Sequence, residues 1–414
     1  MSRLQRRSAP PGPVSQGGGD LGILMLLRWN GLGGTQRQAL RLSAELRSLG
    51  VKTFVITWRE DGLPRDETIN DVAIHRVGRF SRAGFGSVTF LVGSLLWMVR
   101  HRHAFHIIHA HNLPTALTAA LLRPLLGKPI IVKLNNAVTV EEFARRRFGS
   151  GRWFILRRSI TRFVALNADV ERRLTDQGIP ASRIVRIPNG VELPPERPSG
   201  DFSPTKRALG LGPDTRIVIY LGRLIPDKGI AWLLEVWKDI ASKATNCHLL
   251  LVGDGPDDQR LRALAHRLDV TRAVSFLGYQ EDVNPFLSIA DILVLPSRSE
   301  GMSNAVLEGM AHGVPVVATD SPGNRAVIEP GRHGLLVQYG DSPALKETLL
   351  TLLGDSDLRL RLGRDAARKV RSKFSLRAIA NAYCGLYREL SPGQPSGATT
   401  RTAGAALPTT PCQS

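Results

Sequence analysis

The chain has 414 residues, which is too long for one ordinary hydrophobic core and suits two α/β domains. Its 43% hydrophobic and 22% charged residues are typical of a soluble globular protein, and three widely spaced cysteines argue against a disulfide framework or a zinc site. The net charge of +19 is concentrated between Arg123 and Arg183. Such a patch can attract nucleic acid, anionic lipid or a phosphorylated substrate, or it can be an ordinary basic surface.

Both ends of the chain lack apolar periodicity. Residues 1–19 are rich in Arg, Ser, Pro and Gly, and residues 391–414 in Ser, Thr, Pro, Gly and Ala, so both are predicted to be disordered tails. Arginines before Leu21–Leu27 resemble a signal peptide, but the apolar run is short and no small-residue cleavage site follows. A first core strand is predicted there instead.

Strand and helix patterns alternate through residues 20–195, which predicts a doubly wound parallel sheet covered by helices. No run reaches the roughly 18 apolar residues of a membrane span. The best candidate, Phe85–Val99, is predicted to be a buried helix, with an interfacial segment as the alternative. The predicted strands are Leu21–Leu27, Val51–Ile56, Val72–Arg76, His106–His109, Ile130–Leu134 and Arg162–Leu166.

After a break rich in Pro and Gly, the pattern starts again over residues 196–373, which predicts a second doubly wound domain. A helix over 374–390 is expected to pack back on the first domain. Ligands of such sheets bind beyond the carboxyl ends of strands, so two facing Rossmann-like domains imply a cleft. The predicted strands are Arg216–Leu221, His248–Val252, Val274–Leu277, Asp291–Leu295 and Pro315–Thr319.

In each domain, a short segment with candidate binding residues follows the first strand. Gly33 and Gly34 precede a helix, where glycines let the backbone approach a ligand and free N–H groups attract an anion. Gln36 stands where the dinucleotide fingerprint needs its third glycine, which weakens a dehydrogenase interpretation. Arg223, after Gly222, and Lys228 follow the first strand of the second domain, and this pair suits a diphosphate.

The most informative stretch runs from Pro296 to Pro315 after a predicted strand. Ser303 or Asn304 is expected to cap a helix that Gly313 closes. Glu300 then lies in the loop before this helix and Glu308 about one turn inside it. Carboxylates accept hydrogen bonds from hydroxyl groups, so Glu300 suits a hexose and Glu308 a ribose.

These residues resemble the family-4 retaining glycosyltransferases of GT-B fold, whose Glu-x7-Glu element matches Glu300 and Glu308. The resemblance covers about residues 20–390. It extends to Gly33-Gly34-Thr35, His109-Ala110-His111, Pro188-Asn189-Gly190-Val191, Gly222-Arg223-Leu224, Lys228-Gly229, Val252-Gly253-Asp254-Gly255-Pro256 and Gly334-Leu335-Leu336-Val337.

The resemblance implies transfer of a hexosyl group, with retained configuration and without a metal or other cofactor, from a nucleotide sugar to a saccharide or lipid-linked acceptor. It implies that Arg223 and Lys228 bind the diphosphate and stabilise its growing charge. Glu308 would hold the ribose and Glu300 the transferred sugar. The remaining donor-binding residues it implies are Gly33, Gly34, Gly222, Gly253, Asp254, Gly301, Met302, Ser303 and Asn304.

The chain departs from the family at one place. Many relatives carry a His after the fifth strand of the first domain, where this chain has Asn135, which cannot act as a general base near neutral pH. His111 is a candidate substitute. His109 and His111 are predicted to alternate at a strand end, so at most one is expected to face the cleft, and a structural role is favoured for either.

Three further interpretations concern metal, membrane and alternative functions. Asp355-Ser356-Asp357 imitates a metal motif, but it follows Gly354 in a loop between helices, so no metal site is predicted. The aromatic residues Phe148, Trp153, Phe154 and Phe163, which are interleaved with arginines and follow Arg145–Arg147, indicate either an interfacial helix or one packed under a basic face. We expect a cytoplasmic enzyme that is peripheral on the inner membrane face. It would act in the synthesis of cell-envelope polysaccharide, exopolysaccharide or glycolipid. The alternatives are a nucleotide-sugar epimerase of the same fold and a non-enzymatic polyanion-binding protein, although no nucleic-acid motif is present.

Overall fold

The computed structural model describes residues 6–7, 21–27, 34–59, 62–79, 86–136, 140, 142–143, 149–194, 203–244 and 246–391. Two separate sheets, of nine and six strands, organise the chain. The strands of the first sheet are β1 (Arg6–Arg7), β2 (Gly22–Leu26), β3 (Lys52–Arg59), β4 (Asp66–Ile69), β5 (Val72–Arg79), β6 (Ile107–Ala110), β7 (Ile130–Leu134), β8 (Arg162–Ala165) and β9 (Ile184–Arg186). The strands of the second are β10 (Arg216–Leu221), β11 (Cys247–Val252), β12 (Val274–Gly278), β13 (Ile292–Leu295), β14 (Val316–Thr319) and β15 (Gly334–Val337).

Helices cover both faces of each sheet. The first domain holds α1 (Gly34–Ser48), α2 (Gly86–Arg100), α3 (Leu113–Leu126), α4 (Gly149–Ser159) and α5 (Ala168–Asp176). The second holds α6 (Ser203–Ala208), α7 (Ile230–Lys243), α8 (Asp258–Arg267), α9 (Asn284–Ile289), α10 (Asn304–Ala311), α11 (Pro322–Arg325), α12 (Ser342–Gly354) and α13 (Ser356–Lys373), and α14 (Leu376–Leu390) ends the described chain.

Both sheets are doubly wound. In the first, β2 lies between β3 and β6, and in the second, β10 lies between β11 and β13. The pairs are parallel, except that β4 runs antiparallel to β1 and β5. Every residue of β2 is buried, because both faces of a parallel sheet are covered by helices. The order in which strands are added to the sheet reverses at β2 and at β10, so a crevice opens beyond the carboxyl end of each of these strands.

The chain crosses between the domains twice, and the two crossings are hydrogen-bonded to each other. Val191 donates its N–H to Phe374 O at 2.9 Å and accepts from Leu376 N at 2.8 Å. Helix α14 then packs on α1, and its Tyr383 and Tyr387 side chains are fully buried beneath the first sheet. The last described helix therefore belongs structurally to the N-terminal domain.

The structure corrects three sequence-based expectations about elements. Phe85 lies outside the described residues, and the rest of the Phe85–Val99 segment belongs to helix α2, which is not wholly buried because Val88, Val92, Leu96 and Val99 form an exposed stripe. Arg6–Arg7, inside the predicted disordered tail, form a short strand beside β4, while the other residues before Leu21 lie outside the described part. Strands β4, β9 and β15 were not predicted, since β4 contains a single apolar residue and β9 and β15 are short strands at the edges of their sheets.

In the described part of the chain, none of the helices is both long enough and apolar enough to cross a membrane.

Candidate active site

A cavity of about 860 Å³ lies between the two sheets, at the carboxyl ends of β2 and β10. Of the residues predicted for the site, Gly33 lies outside the described residues, and Gly301 is not among the residues that line the cavity. The others line the cavity: Gly34, His111, Asn135, Gly222, Arg223, Lys228, Gly253, Asp254, Glu300, Met302, Ser303, Asn304 and Glu308. The structure thus brings residues from both halves of the chain to one place.

Glycines allow the strand ends of the second domain to approach closely. A Cβ atom on Gly253, whose φ is +143°, would lie 1.8 Å from Gly222 O, so no other residue fits there without moving the backbone. Tyr220 donates its hydroxyl to Arg223 O at 3.0 Å, and burial together with Glu300 raises the pKa of this phenol. These contacts fix the loop that carries Arg223, whose side chain is exposed toward the cavity.

Lys228 and Glu300 form an ion pair in the cavity wall. Lys228 lies on a short 3₁₀ turn, Pro226–Lys228, and its Nζ donates to Glu300 Oε1 at 2.6 Å. The Glu300 side chain is only 9% exposed, so it depends on this partner for compensation of its charge. An ammonium group has three donors, so Lys228 can bind Glu300 and a phosphate oxygen together.

Helix α10 begins where the sequence predicts. Ser303 is its N-cap and accepts from Val306 N, while Asn304 instead reaches the other domain and donates to Gly34 O at 3.2 Å. Gly313 follows the helix with a φ of +70°, as a terminating glycine does. The N-terminus of α10 therefore faces the cavity beside Gly34.

A second ion pair joins the two domains. Arg41, on α1, donates Nη1 to Glu308 Oε1 on α10 at 3.0 Å, and its Nε lies 3.8 Å from Glu192 Oε2. The Arg37 guanidinium stacks 4.8 Å from the centre of the Tyr279 ring, another contact across the cleft. One oxygen of Glu308 thus holds α1, and the carboxylate retains further acceptor capacity.

The loop that precedes α10 also packs directly against the first domain. A Cβ on Gly301 would lie 1.7 Å from Asn135 O, so glycine is required for this backbone contact. Asn167 donates Nδ2 to Gly301 O at 2.6 Å, and Asn135 donates to Thr35 Oγ1 at 3.2 Å. Asn135 and Gly301 therefore position the two walls rather than stand apart as independent ligands.

The two histidines are buried and stacked, with ring centroids 4.4 Å apart. The expectation that they alternate was wrong, because residues two apart on a strand share a face. His111 alone of the two lines the cavity. Burial lowers the pKa of His109 to about 3 and that of His111 well below its usual 6.5. Both rings are therefore neutral near pH 7.

The sequence did not indicate several cavity residues. Arg37, Gln38 and Arg41 occupy one side of α1, at helical spacing after the glycine loop, and this spacing was the available signal. Lys133 is the least expected of them, because it stands inside a strand predicted to be apolar. Asn189 belongs to a motif that was noted without a role, and it donates to Asn304 Oδ1 at 3.0 Å.

Asp355 has a structural role. Its carboxylate accepts from Leu358 N at 2.8 Å and caps α13, away from the cavity. Within the described ranges, no group of three or more His, Cys, Asp or Glu side chains could hold a metal ion.

Comparison with known proteins agrees with this geometry. The model of the family described as Glycosyltransferase Family 4 matches residues 32–193, and that described as Glycosyl transferases group 1 matches residues 215–355. The structure of Anabaena HepE in complex with UDP and glucose superposes with a TM-score of 0.76 at 20% identity, over 89% of this chain and 100% of that one.

Sequence relatives give the same class. The alpha-D-kanosaminyltransferase of Streptomyces kanamyceticus is 27% identical over 84% of this chain and 98% of its own length. The lipopolysaccharide core biosynthesis glycosyltransferase LpsE of Rhizobium meliloti is 34% identical over 42% of this chain and 50% of its own length. The fold and the cleft define a glycosyltransferase with the two-domain GT-B architecture. Within that class, the chain belongs to the family-4 glycosyltransferases.

Proposed function

We propose that the enzyme moves a hexosyl group from a nucleotide-diphosphate sugar to an acceptor hydroxyl, with retention of anomeric configuration. The observation that carries the proposal is the clustering of Arg223, Lys228 and Glu300 beside the N-terminus of α10. Two cations suit a diphosphate, and a carboxylate suits sugar hydroxyls. The products of this reaction belong to cell-envelope polysaccharide, exopolysaccharide or glycolipid.

The chemistry requires stabilisation of a leaving diphosphate. Lys228 is held in place by Glu300, and Tyr220 fixes the backbone of the loop that carries Arg223, so both cations lie where they can stabilise negative charge as the glycosidic bond breaks. The leaving phosphate, on the same face of the sugar, takes the acceptor proton. This assignment agrees with the two buried histidines, because neither is protonated or readily protonated near neutral pH.

A thermal-shift and turnover screen with nucleotide sugars tests the proposal, beginning with UDP-sugars because HepE was solved with UDP. The true donor stabilises the fold by about 2.7 kcal/mol at a hundredfold excess over its dissociation constant. Lys228→Ala is the matched control and should lose this shift. A chain that neither binds nor turns over any nucleotide sugar contradicts the proposal, and interconversion of donor epimers without an acceptor favours the epimerase alternative.

We also propose that the enzyme works at an anionic membrane surface on a lipid-linked acceptor. Helices α2, α3 and α4 lie side by side on one face of the first sheet, and residues 86–140 and 149–168 contain no Asp or Glu. We call their outer surface the cationic–apolar face. Its exposed apolar residues are Val88, Val92, Leu96, Val99, Leu121, Leu125 and Phe154, and its basic residues are Arg100, Arg123, Arg152, Arg157 and Arg158.

The structure changes which aromatic residues support this proposal. Trp153 is 6% exposed and donates Nε1 to Gln177 O at 3.2 Å, so it belongs to the core. Phe154 is 60% exposed, and Arg158 stacks on it at 5.7 Å. Arg145–Arg147 lie outside the described residues. Each basic residue near an anionic surface contributes about 1 kcal/mol, and apolar side chains add burial.

Liposome co-sedimentation tests the membrane proposal with a matched pair of variants. The double variant Leu96→Ser/Leu125→Ser should reduce binding to anionic vesicles by roughly tenfold, since it removes two exposed side chains from the face. Leu360→Ser, which changes a residue 60% exposed in the other domain, should not. Binding should weaken at high salt. Wild-type protein that stays in the supernatant with anionic vesicles at low salt contradicts the proposal.

A further inference from the structure

Lys133 is a buried cation in the wall of the cavity. It is the fourth residue of β7, its side chain is only 1% exposed, and it lines the cavity opposite the diphosphate-binding residues. Burial lowers the pKa of its ammonium group from 10.5 to about 7. Removing an ammonium ion from water is costly unless an anion or several acceptors replace the water. The burial of the Lys133 ammonium group therefore costs electrostatic free energy.

No described residue offsets this cost. The two glutamates of the cavity are engaged elsewhere, Glu300 by Lys228 and Glu308 by Arg41. The ion pairs and hydrogen bonds of the described residues include no contact to Lys133 Nζ. A buried cation that faces a cavity and has no anion among the described residues has room for an anion from a ligand.

The groups that surround Lys133 are neutral near pH 7. His109, on the neighbouring strand β6, and His111, just after that strand, both have lowered pKa values, for which burial is the main cause and the Lys133 charge a further one. Burial raises the pKa values of Tyr383 and Tyr387, which pack against His109 from α14. Among these described neighbours, Lys133 is the group that changes charge near neutrality.

A second orphaned group adjoins the same wall. His111 Nδ1 is buried without a hydrogen-bond partner among the described residues, while Nε2 lies 3.3 Å from Met25 Sδ. When Nδ1 carries the ring proton, it can donate a hydrogen bond to an oxygen atom. An unpaired cation and an unpaired ring nitrogen thus occur together on one wall.

We infer that the acceptor is anionic and that Lys133, with His111, binds its carboxylate or phosphate group inside the cavity. The inference rests on the proposed transferase function, because it names the class of acceptor for that site. Diphosphate binding by Arg223 and Lys228 occupies the opposite domain, so the two anionic substrates have separate cations. An anion beside Lys133 favours its charged form, so binding takes up a proton above neutral pH.

The experiment uses the full chain and three probes: D-glucuronate, D-glucose 6-phosphate and uncharged D-glucose. Thermal shift and calorimetry at constant ionic strength, at about pH 7 and about pH 9, measure binding without donor. At least one charged probe should stabilise the protein and glucose should not. Its affinity should fall about tenfold or more at the higher pH, as the protonated fraction of Lys133 falls. The two charged probes distinguish carboxylate from phosphate.

Variants assign the binding to a residue. Lys133→Met, which keeps the length of the side chain and removes the charge, should abolish the charged-probe shift, and Lys228→Met should retain it. The inference is overturned if Lys133→Met keeps the shift, if only Lys228→Met loses it, or if neither charged probe is preferred to glucose. This experiment measures binding and not transfer. If the wild type binds a charged probe but turns over no nucleotide sugar in the donor screen, only the proposed function is refuted.

Discussion

The two walls of the cavity use charge in opposite ways. On the wall from the second domain, Lys228 is paired with Glu300 at 2.6 Å on a loop, and Arg223 remains partly exposed. On the wall from the first domain, Lys133 is buried in a strand beside two neutral histidines. A cation that is paired and partly exposed keeps its charge at low cost, whereas burial without a partner lowers the pKa of a lysine. The difference indicates that the second wall binds the diphosphate common to all such donors, whereas the first wall selects the acceptor by its charge.

The largest expected effect comes from the wall of the second domain. Lys228→Ala and Arg223→Ala should each lower turnover about 10²-fold or more, because a preorganised charge on the leaving diphosphate is lost. Circular dichroism checks that both variants are folded, since Lys228→Ala leaves the nearly buried Glu300 without its partner. Steady-state kinetics with the donor found in the screen measures the effect. Activity of both variants within about threefold of wild type would remove these residues from the mechanism.

A smaller effect is expected for the contact that joins the walls. Arg41→Met removes the ion pair with Glu308 and should raise the donor KM roughly three- to tenfold with little change in kcat, because the pair is partly solvated. Arg377→Met, which breaks an exposed pair between Glu45 on the same helix and α14, is the control. Equal donor KM values for the two variants would show that the Arg41 contact does not organise the donor site.

The buried lysine should leave a signature in stability. The pKa of Lys133 is about 7 in the folded protein and 10.5 ordinarily, so the unfolded chain binds more protons between these values. Its destabilising cost is therefore largest below pH 7 and declines as the pH rises toward 10.5. Lys133→Met should raise Tm by several degrees near pH 7, and this gain should shrink at higher pH. A gain that is independent of pH would contradict the assignment of a charged, buried amine.

The neutral histidine should have a modest effect on activity. His111→Gln should lower kcat by less than about tenfold, since loss of a general base costs about 10²–10⁴-fold. The pH–rate profile of the wild type should show no inflection that this substitution removes, because burial keeps the pKa of His111 well below 6.5. A loss of 10²-fold or more, with a shifted profile, would make His111 a catalytic base.

Chelation should have no effect. We expect full activity in excess EDTA, because Arg223 and Lys228 supply positive charge to the diphosphate. Turnover is compared before and after chelation, with manganese and magnesium added back. If activity is lost and either metal restores it, Arg223 and Lys228 alone do not neutralise the charge of the donor diphosphate.

Local patterns were enough to predict most of the second domain. Most of its strands are largely apolar runs, and β10 was predicted at its observed bounds, Arg216–Leu221. The Ser303 cap and the Gly313 terminus placed α10, which in turn placed both glutamates. Strands β4, β9 and β15 were missed because β4 has a single apolar residue and β9 and β15 are short edge strands, so pairing with a neighbouring strand defines them more than a local apolar pattern does.

The sequence by itself determined the two doubly wound domains, the glycine loops and the charged residues that follow strand β10, since each depends on contacts among neighbours in the chain. Tertiary structure decided which partners those charges have. Arg41 meets Glu308, and Gly301 meets Asn135, across more than a hundred residues of chain. The burial of Lys133 is likewise a property of the assembled wall. Burial and pairing depend on surrounding atoms, so no local pattern could specify them.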